Sequence, residues 1–433
     1  MVPEIPAGAD GSDDPVESTV DLVVVGLGYV GLPLVQASVR AGLSVTGFDL
    51  SERVVDGLNA GVSHIDDLSD GDIAEVRAGD FSATSDPAVL SRARAIVVCV
   101  PTPLSETGGP DLAAVTGATG TIADRLRAGT LVVLESTTYP GTTEEVVQPL
   151  LEKSGLTAGE DFHLAFSPER VDPGNPTWGI VNTPKVVGGI TPECTEAAVA
   201  FYSRFIDTVH PASSPKEAEM AKLLENTYRH VNIALVNEMA VFCNELGIDL
   251  WETIDLAKTK PFGYQAFYPG PGVGGHCIPI DPNYLSYKVR TLGYPFRFVE
   301  LAGEINNRMP EYVVSRAMEL LNRDRKALAG SKVVLLGVTY KPDIADQRET
   351  PATAVARKLI AAGADLAFHD PYVESWTAGG RDVERVADLD GAGADLYVLL
   401  THHKEYVDSQ AAGLAPVLDT RGVLESRPGI ERL

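Results

Sequence analysis

From Val20 onward the chain alternates short runs of β-branched and aliphatic residues with longer stretches in which apolar positions recur every three or four residues. The first pattern marks buried strands and the second amphipathic helices, and their alternation reads as a parallel α/β sheet. Strands are expected from Asp21 to Val25, Ser44 to Asp49, Ala95 to Val100, Thr130 to Glu135, His163 to Ser167 and Lys185 to Gly188. Between Ser214 and Gly247 there is no internal glycine, and no proline beyond Pro215 at the start. Met220, Leu223, Leu224, Ile233, Val236, Met239 and Ala240 recur there at helical spacing, which predicts one unusually long helix. More helical sequence follows to about Ala329, broken by the Gly/Pro-rich stretch from Tyr268 to Pro282. The β/α rhythm then returns at Lys332 to Gly337, Asp365 to His369, Asp395 to Leu400 and Pro416 to Leu418. The expected organisation is a tail (1–19), an N-terminal α/β domain (20–210), a helical region (211–329) and a smaller C-terminal α/β domain (330–433).

Composition narrows the classes. A chain of 433 residues exceeds what one hydrophobic core usually organises, and 44% hydrophobic with 22% charged residues is ordinary for a globular protein. The formal net charge of −25 repels phosphate backbones and anionic lipid, so neither nucleic acid nor a membrane surface is expected as a partner. Such acidity also fits a salt-rich habitat. No apolar run approaches the roughly 20 residues of a bilayer span. Residues 1–19 carry Glu4, Asp10, Asp13, Asp14 and Glu17 without Lys or Arg, which reads as a disordered acidic tail and not a signal peptide. Cys99, Cys194, Cys243 and Cys277 show no metal or redox spacing, so a reducing cytoplasm and no metal are expected.

Two stretches carry chemistry. Gly26, Gly28 and Gly31 form G-x-G-x-x-G between an apolar run and a helical pattern, with Asp49 closing the next strand. The first glycine permits a tight turn, the second admits a pyrophosphate to backbone N–H groups, and the third lets helix and strand pack closely. Asp49 would accept hydrogen bonds from ribose hydroxyls and repel a 2′-phosphate, which favours NAD over NADP, although Arg53 lies nearby. The second stretch is Gly272-Val273-Gly274-Gly275-His276-Cys277-Ile278-Pro279-Ile280-Asp281. Glycines clear the approach to one thiol, as a covalent nucleophile requires. Cys99 and Cys243, in apolar strand and helix patterns, read as core residues, and His276 as structural.

These residues resemble the nucleotide-sugar 6-dehydrogenases, the family that includes UDP-glucose and GDP-mannose dehydrogenases, from Val20 to about Leu424. The resemblance rests on the Gly26 fingerprint, Val100-Pro101-Thr102-Pro103, Glu135-Ser136-Thr137-Thr138, Ser167-Pro168-Glu169-Arg170, Lys222-Leu223-Leu224-Glu225-Asn226, the Cys277 loop and Lys341-Pro342-Asp343. It implies two Rossmann-like domains joined by a long central helix and a helical dimerisation region, hence at least a homodimer. It also implies a four-electron oxidation of a sugar C6 alcohol with two NAD per turnover. Cys277 would form a thiohemiacetal and then a thioester, Lys222 and Asn226 would flank the reacting oxygen, Glu169 and Asp281 would serve acid/base roles, and Thr137 would lie near the catalytic water. By the same resemblance Gly26, Gly28, Tyr29, Val30, Gly31, Asp49, Arg53, Thr102 and Thr137 hold NAD. The UDP-sugar falls to Glu169, Arg170, Lys222, Asn226, Arg229, Tyr268, Gly270, Gly272, Gly274, Lys341 and Arg421, with Arg348 at the domain interface.

The sugar is read from departures. The UDP-glucose branch continues the Pro-Glu motif as Phe-Leu-x-Glu-Gly, whereas here Arg170-Val171-Asp172-Pro173-Gly174-Asn175-Pro176 follows, and no arginine lies between Pro261 and Gln265. The pattern is similar to UDP-N-acetylhexosamine 6-dehydrogenases, with UDP-N-acetylglucosamine favoured, UDP-N-acetylmannosamine next and UDP-glucose third. Arg170 and Arg229 would shape the N-acetyl or diphosphate contacts. A two-electron hydroxyacid dehydrogenase would share the glycine fingerprint but needs neither the Cys277 loop nor a second α/β domain. A silent nucleotide-sugar-binding protein needs none of Cys277, Lys222, Glu169 and Asp281.

Overall fold

The computed structural model describes residues 19–65, 67–105, 109–172, 175, 177–275, 277–389, 391–411 and 413–433. The acidic tail, except Thr19, and His276, Pro173, Gly174 and Pro176 of the motifs above lie outside the described residues. The chain divides into two compact units, one ending at Leu224 and the other running Glu225–Leu433.

The first unit holds eight strands: β1 (Val20–Val25), β2 (Val45–Phe48), β3 (Phe81–Thr84), β4 (Ala93–Val98), β5 (Leu131–Leu134), β6 (His163–Phe166), β7 (Lys185–Gly189) and β8 (Val209–Pro211). They line up as β3-β2-β1-β4-β5-β6-β7-β8 in one sheet. Leu22 and Val24 of β1 enter one core and Val23 and Val25 the other, so both faces are covered, which is why the strand reads as an unbroken apolar run. Helices α1 (Gly31–Arg40), α2 (Glu52–Ala60), α3 (Asp70–Ala78), α4 (Ala113–Ala123), α5 (Gln148–Leu151) and α6 (Pro192–Tyr202) connect the strands. Several are stopped locally: Ser69 and Asp72 form a reciprocal cap at the start of α3, and Gly61 turns left-handed (φ 87°) after α2.

One pairing departs from the all-parallel expectation. β6 and β7 are antiparallel, with Phe166 opposite Gly188. A parallel return needs a crossover of a dozen or more residues that is usually a helix, and no described helix lies between Phe166 and Lys185. β3 and β8 were not expected from the sequence. They are the two edge strands, short and half-exposed, and β8 contains Pro211.

Helix α7 (Pro215–Leu246) runs for 32 residues, about 48 Å at 1.5 Å per residue. Beyond it lie α8 (Leu250–Ala257), α9 (Asp281–Thr291), α10 (Arg297–Arg323) and α11 (Pro351–Ala361). The second unit carries β9 (Lys332–Leu336), β10 (Asp365–His369), β11 (Thr377–Ala378), β12 (Arg381–Asp382), β13 (Glu384–Arg385), β14 (Leu396–Leu399), β15 (Val417–Asp419) and β16 (Ile430–Arg432). Six of these form a sheet in the order β13-β10-β9-β14-β15-β16, every pair parallel, while β11 and β12 make a small antiparallel hairpin. Val333 and Leu335 face the larger core and Val334 and Leu336 the smaller, again covering both faces of the central strand.

Candidate functional site

In the first unit the glycine fingerprint lies at the carboxyl end of β1, where the strand order reverses between β1 and β4. Ligands of doubly wound sheets bind at this position. Gly26 is left-handed (φ 91°), and a Cβ there would sit 2.8 Å from the Cys99 carbonyl oxygen. A Cβ on Gly31 would lie 1.9 Å from the Gly26 oxygen, while one on Gly28 would meet nothing within 4 Å. The turn is therefore pressed against β4 on one side and open at Gly28 on the other. Helix α1 begins there with no side-chain cap, the Leu32 N–H closing the turn on the Gly28 carbonyl oxygen at 3.0 Å. Asp49 ties the turn to β2, accepting from the Leu27 N–H (2.9 Å) and the Ser51 N–H (2.9 Å), and each oxygen retains a lone pair. Tyr29 and Val30 pack on the core, and Arg53 is exposed on α2. These residues fit a dinucleotide.

The next two crossovers complete this edge. The Thr102 hydroxyl donates to the Thr137 carbonyl oxygen at 2.8 Å, joining the segments after β4 and β5. Beyond Thr137 the chain turns at Gly141, where it meets a residue that no motif had singled out. Glu219, buried on α7 three positions before Lys222, accepts from the Gly141 N–H (2.5 Å), the Thr143 N–H (3.0 Å) and the Thr143 hydroxyl (2.7 Å). Its only signal in the sequence is an acid on the helix face that also carries Lys222, itself buried.

Burial pushes the Glu219 carboxyl up to about 7 in spite of its three donors. Since an unfolded carboxyl titrates near 4.3, the native state binds the extra proton between these values. The stability contribution is thus complete at low pH and is lost as pH rises through about 7. Between about pH 5 and pH 8 the wild type should lose roughly 3 kcal/mol relative to Glu219→Gln. Denaturant unfolding of both proteins across that range measures this, and a pH-independent gap between them would contradict it.

Glu169 follows β6 and is half-buried. Its carboxylate accepts from the Val171 N–H at 2.5 Å and lies 3.8 Å from the Lys185 ammonium. Arg170 donates to the Pro184 carbonyl oxygen at 2.7 Å.

In the second unit Cys277 is exposed, and its carbonyl oxygen accepts from the Asp281 N–H at 2.9 Å as α9 begins. The Asp281 side chain is buried and accepts from Asn226 Nδ2 at 2.7 Å. Cys277, Asp281 and Asn226 are thereby brought together. The glycines preceding the thiol have a packing reason that the sequence did not reveal. A Cβ on Gly274 would lie 2.8 Å from the Glu349 oxygen and 2.9 Å from Pro351, and one on Gly275 would lie 2.9 Å from the Tyr340 ring. The loop lies flat on the segment between β9 and α11.

Gly270 donates its N–H to Asn237 of α7 at 2.9 Å, and a Cβ there would lie 2.7 Å from the Arg421 guanidinium. Arg421 follows β15 and donates to the Leu400 carbonyl oxygen at 2.7 Å. Burial pushes its guanidinium down to about 10 against the pull of Asp419. Lys341 follows β9, so both cations stand at the carboxyl ends of parallel strands. His402, after β14, is held neutral, its imidazole pushed down to about 4 by burial and by Arg421. Arg348 pairs with Asp346, and the Tyr268 hydroxyl donates to Asp255 and accepts from the Lys258 ammonium at 3.0 Å each. Arg229 is exposed on α7, and Gly272 (φ 133°) packs on Pro351. Among the described residues no cluster of three His, Cys, Asp or Glu side chains has metal-holding geometry, and no helix is long and apolar enough to cross a membrane.

Three models of one family match the chain in succession. The NAD binding domain of the UDP-glucose/GDP-mannose dehydrogenase family matches residues 20–206, the central domain 216–308 and the UDP binding domain 334–427. The UDP-N-acetyl-D-glucosamine 6-dehydrogenase of Pseudomonas aeruginosa is 39% identical over 82% of this chain and 83% of its own. The UDP-N-acetyl-D-mannosamine dehydrogenase of Salmonella typhi is 35% identical over 94% and 99%. The solved structure of a UDP-D-ManNAc dehydrogenase from Pyrococcus horikoshii superposes with a TM-score of 0.87 at 32% identity, covering 95% of this chain and 98% of that one.

Proposed function

Because the chain belongs to the UDP-glucose/GDP-mannose dehydrogenase family and is an NAD-dependent nucleotide-sugar dehydrogenase, we propose that it oxidises the C6 hydroxyl of a UDP-N-acetylhexosamine to the uronate, with UDP-N-acetylglucosamine preferred. The observation that carries this reading is the exposed Cys277 thiol one helical turn before the buried Asp281–Asn226 pair. A two-electron alcohol dehydrogenase has no use for a nucleophile there. NAD, when bound, accepts one hydride in each of two oxidations, so two are consumed per sugar.

The chain's own residues do the rest. The Cys277 thiolate adds to the C6 aldehyde, giving a thiohemiacetal whose oxidation leaves a thioester. Lys222 places an ammonium at the reacting oxygen, stabilising the negative charge that develops on it at each stage, with Asn226 one turn along the same helix face. In the last step water adds to the thioester carbonyl carbon and passes a proton to Glu169. The C–S bond then breaks, freeing the thiolate and a carboxylic acid that gives its remaining proton to bulk water and leaves as the carboxylate. Asp281 holds Asn226 and orients the lysine, and Thr137 stations the water. Lys341 and Arg421 take the diphosphate end, and Arg170 and Arg229 the N-acetyl or diphosphate groups. Tyr268, Gly270, Gly272 and Gly274 line the sugar.

The working form is a cytoplasmic homodimer at least. Leu235, Phe242 and Leu246 on α7 and Phe298 and Leu301 on α10 expose large apolar side chains that a second copy would cover, and all four cysteines are free thiols.

The test is the NADH released per sugar consumed, with UDP-N-acetylglucosamine, UDP-N-acetylmannosamine, UDP-N-acetylgalactosamine and UDP-glucose supplied separately. Two NADH per UDP-N-acetylglucosamine, with the other sugars slow, is the expected result. One NADH per sugar would overturn the thioester route, and two from another sugar alone would overturn the substrate.

A further inference from the structure

Behind Glu169 lies a buried polar cluster that the reaction scheme does not use. Glu135, just past β5, is 1% exposed and meets the Lys185 ammonium at 2.9 Å. Tyr202 of α6 donates its hydroxyl to the same carboxylate at 2.5 Å, the Lys185 ammonium stands 4.9 Å above the Tyr202 ring, and the Cys99 thiol approaches at 4.0 Å. Lys185 is itself 5% exposed and reaches past Glu135 to Glu169 at 3.8 Å. The sheet register explains this reach. Phe166 of β6 pairs with Gly188 of the antiparallel β7, and Ser167 Oγ donates to the Val186 carbonyl oxygen at 2.9 Å. Carried three residues past the Phe166–Gly188 pair, that register sets Lys185 directly across from Glu169.

A lysine taken out of water is costly unless it is paired, and one carboxylate would have sufficed. The groups facing the pair are Glu135, Tyr202, Cys99 and the neighbouring Arg170, whose guanidinium turns to Pro184. Burial works to discharge the ammonium, but Glu135 and Glu169 outweigh it and its pKa is raised. Burial and Glu135 hold the Tyr202 hydroxyl and the Cys99 thiol protonated. Lys185 is thus the cation that stands between the two carboxylates.

We propose that Lys185 is a positioning residue for the final hydrolysis: it holds the Glu169 side chain in place as the carboxylate that takes the proton of the attacking water. This rests on the assignment of Glu169 to that step. The lysine touches neither sugar nor NAD in this role, and its effect is confined to the half-reaction that needs a base.

The experiment compares Glu135→Gln/Lys185→Met, which removes both members of the buried pair together, with Lys185→Arg, Glu135→Gln and Glu169→Gln. It uses full-length protein, NAD and the UDP-sugar it turns over fastest. Intact-mass spectrometry of quenched reactions reads the acyl-enzyme on Cys277, and kcat is followed against pH. In the double variant the acyl-enzyme should accumulate, kcat should fall about 100-fold with the first NADH burst intact, and the acid limb of the pH profile should move upward. Lys185→Arg and Glu135→Gln should stay near wild type. Equal loss in both oxidations with an unmoved acid limb would reduce Lys185 to packing, and normal hydrolysis in the double variant would overturn the proposal outright. Normal hydrolysis in Glu169→Gln would instead overturn the assignment of Glu169, and the proposal with it.

Discussion

Turnover of a Cys277→Ser variant should fall at least about 10³-fold, with the UDP-sugar still bound at wild-type affinity. A serine hydroxyl at this exposed position ionises far less readily than a thiol, so it supplies almost no nucleophilic anion to the aldehyde. The oxygen ester it would form is also a poorer acyl donor than a thioester. A loss of that size corresponds to about 4 kcal/mol of transition-state stabilisation. Steady-state kcat/KM and isothermal titration with the UDP-sugar separate the two effects. If the variant retains most of its turnover, the oxidation ends after two electrons and Cys277 is a bystander.

The largest effect on stability is expected at Lys185. The single change Lys185→Met leaves Glu135 buried with Tyr202 as its remaining strong partner, and removing one member of a buried pair typically costs about 3–5 kcal/mol. The combined Glu135→Gln/Lys185→Met protein should recover most of that loss, because the fully buried carboxylate is removed with its partner and only the more exposed Glu169 loses a cation. Chemical denaturation followed by a probe in the first unit measures both. Equal destabilisation by the single and the double change would mean that packing of the lysine stem, and not its charge, is what the sheet requires.

The legibility of the fold varied with burial. The central strands β1, β4, β5, β9 and β10 read clearly because both of their faces are buried, so their apolar runs have no polar interruption. The long helix was visible because nothing between Pro215 and Leu246 breaks it. The edge strands β3, β8, β13 and β16 were silent because a short strand with one partner is held by backbone hydrogen bonds, which leave no side-chain pattern. Lys222 entered only through the family resemblance, whereas the glycine fingerprint and Cys277 announced themselves by local spacing. Glu219, Lys185 and the packing reason for Gly274 did not, because each acts on residues far away in the chain: Glu219 on Gly141, Lys185 on Glu135 and Gly274 on Glu349.

The reversal of β7 also bears on how the chain tolerates change in length. A parallel strand would have had to return by a right-handed crossover, whose helix must match the sheet in length and hand. An antiparallel return has no handedness to satisfy. It asks only that its two ends stay clamped, here by Arg170 on Pro184 and by Ser167 on Val186. Residues inserted or deleted between these clamps therefore need not disturb the order of the sheet. The sequence departs from the UDP-glucose pattern inside this span, whose length the order of the sheet does not dictate.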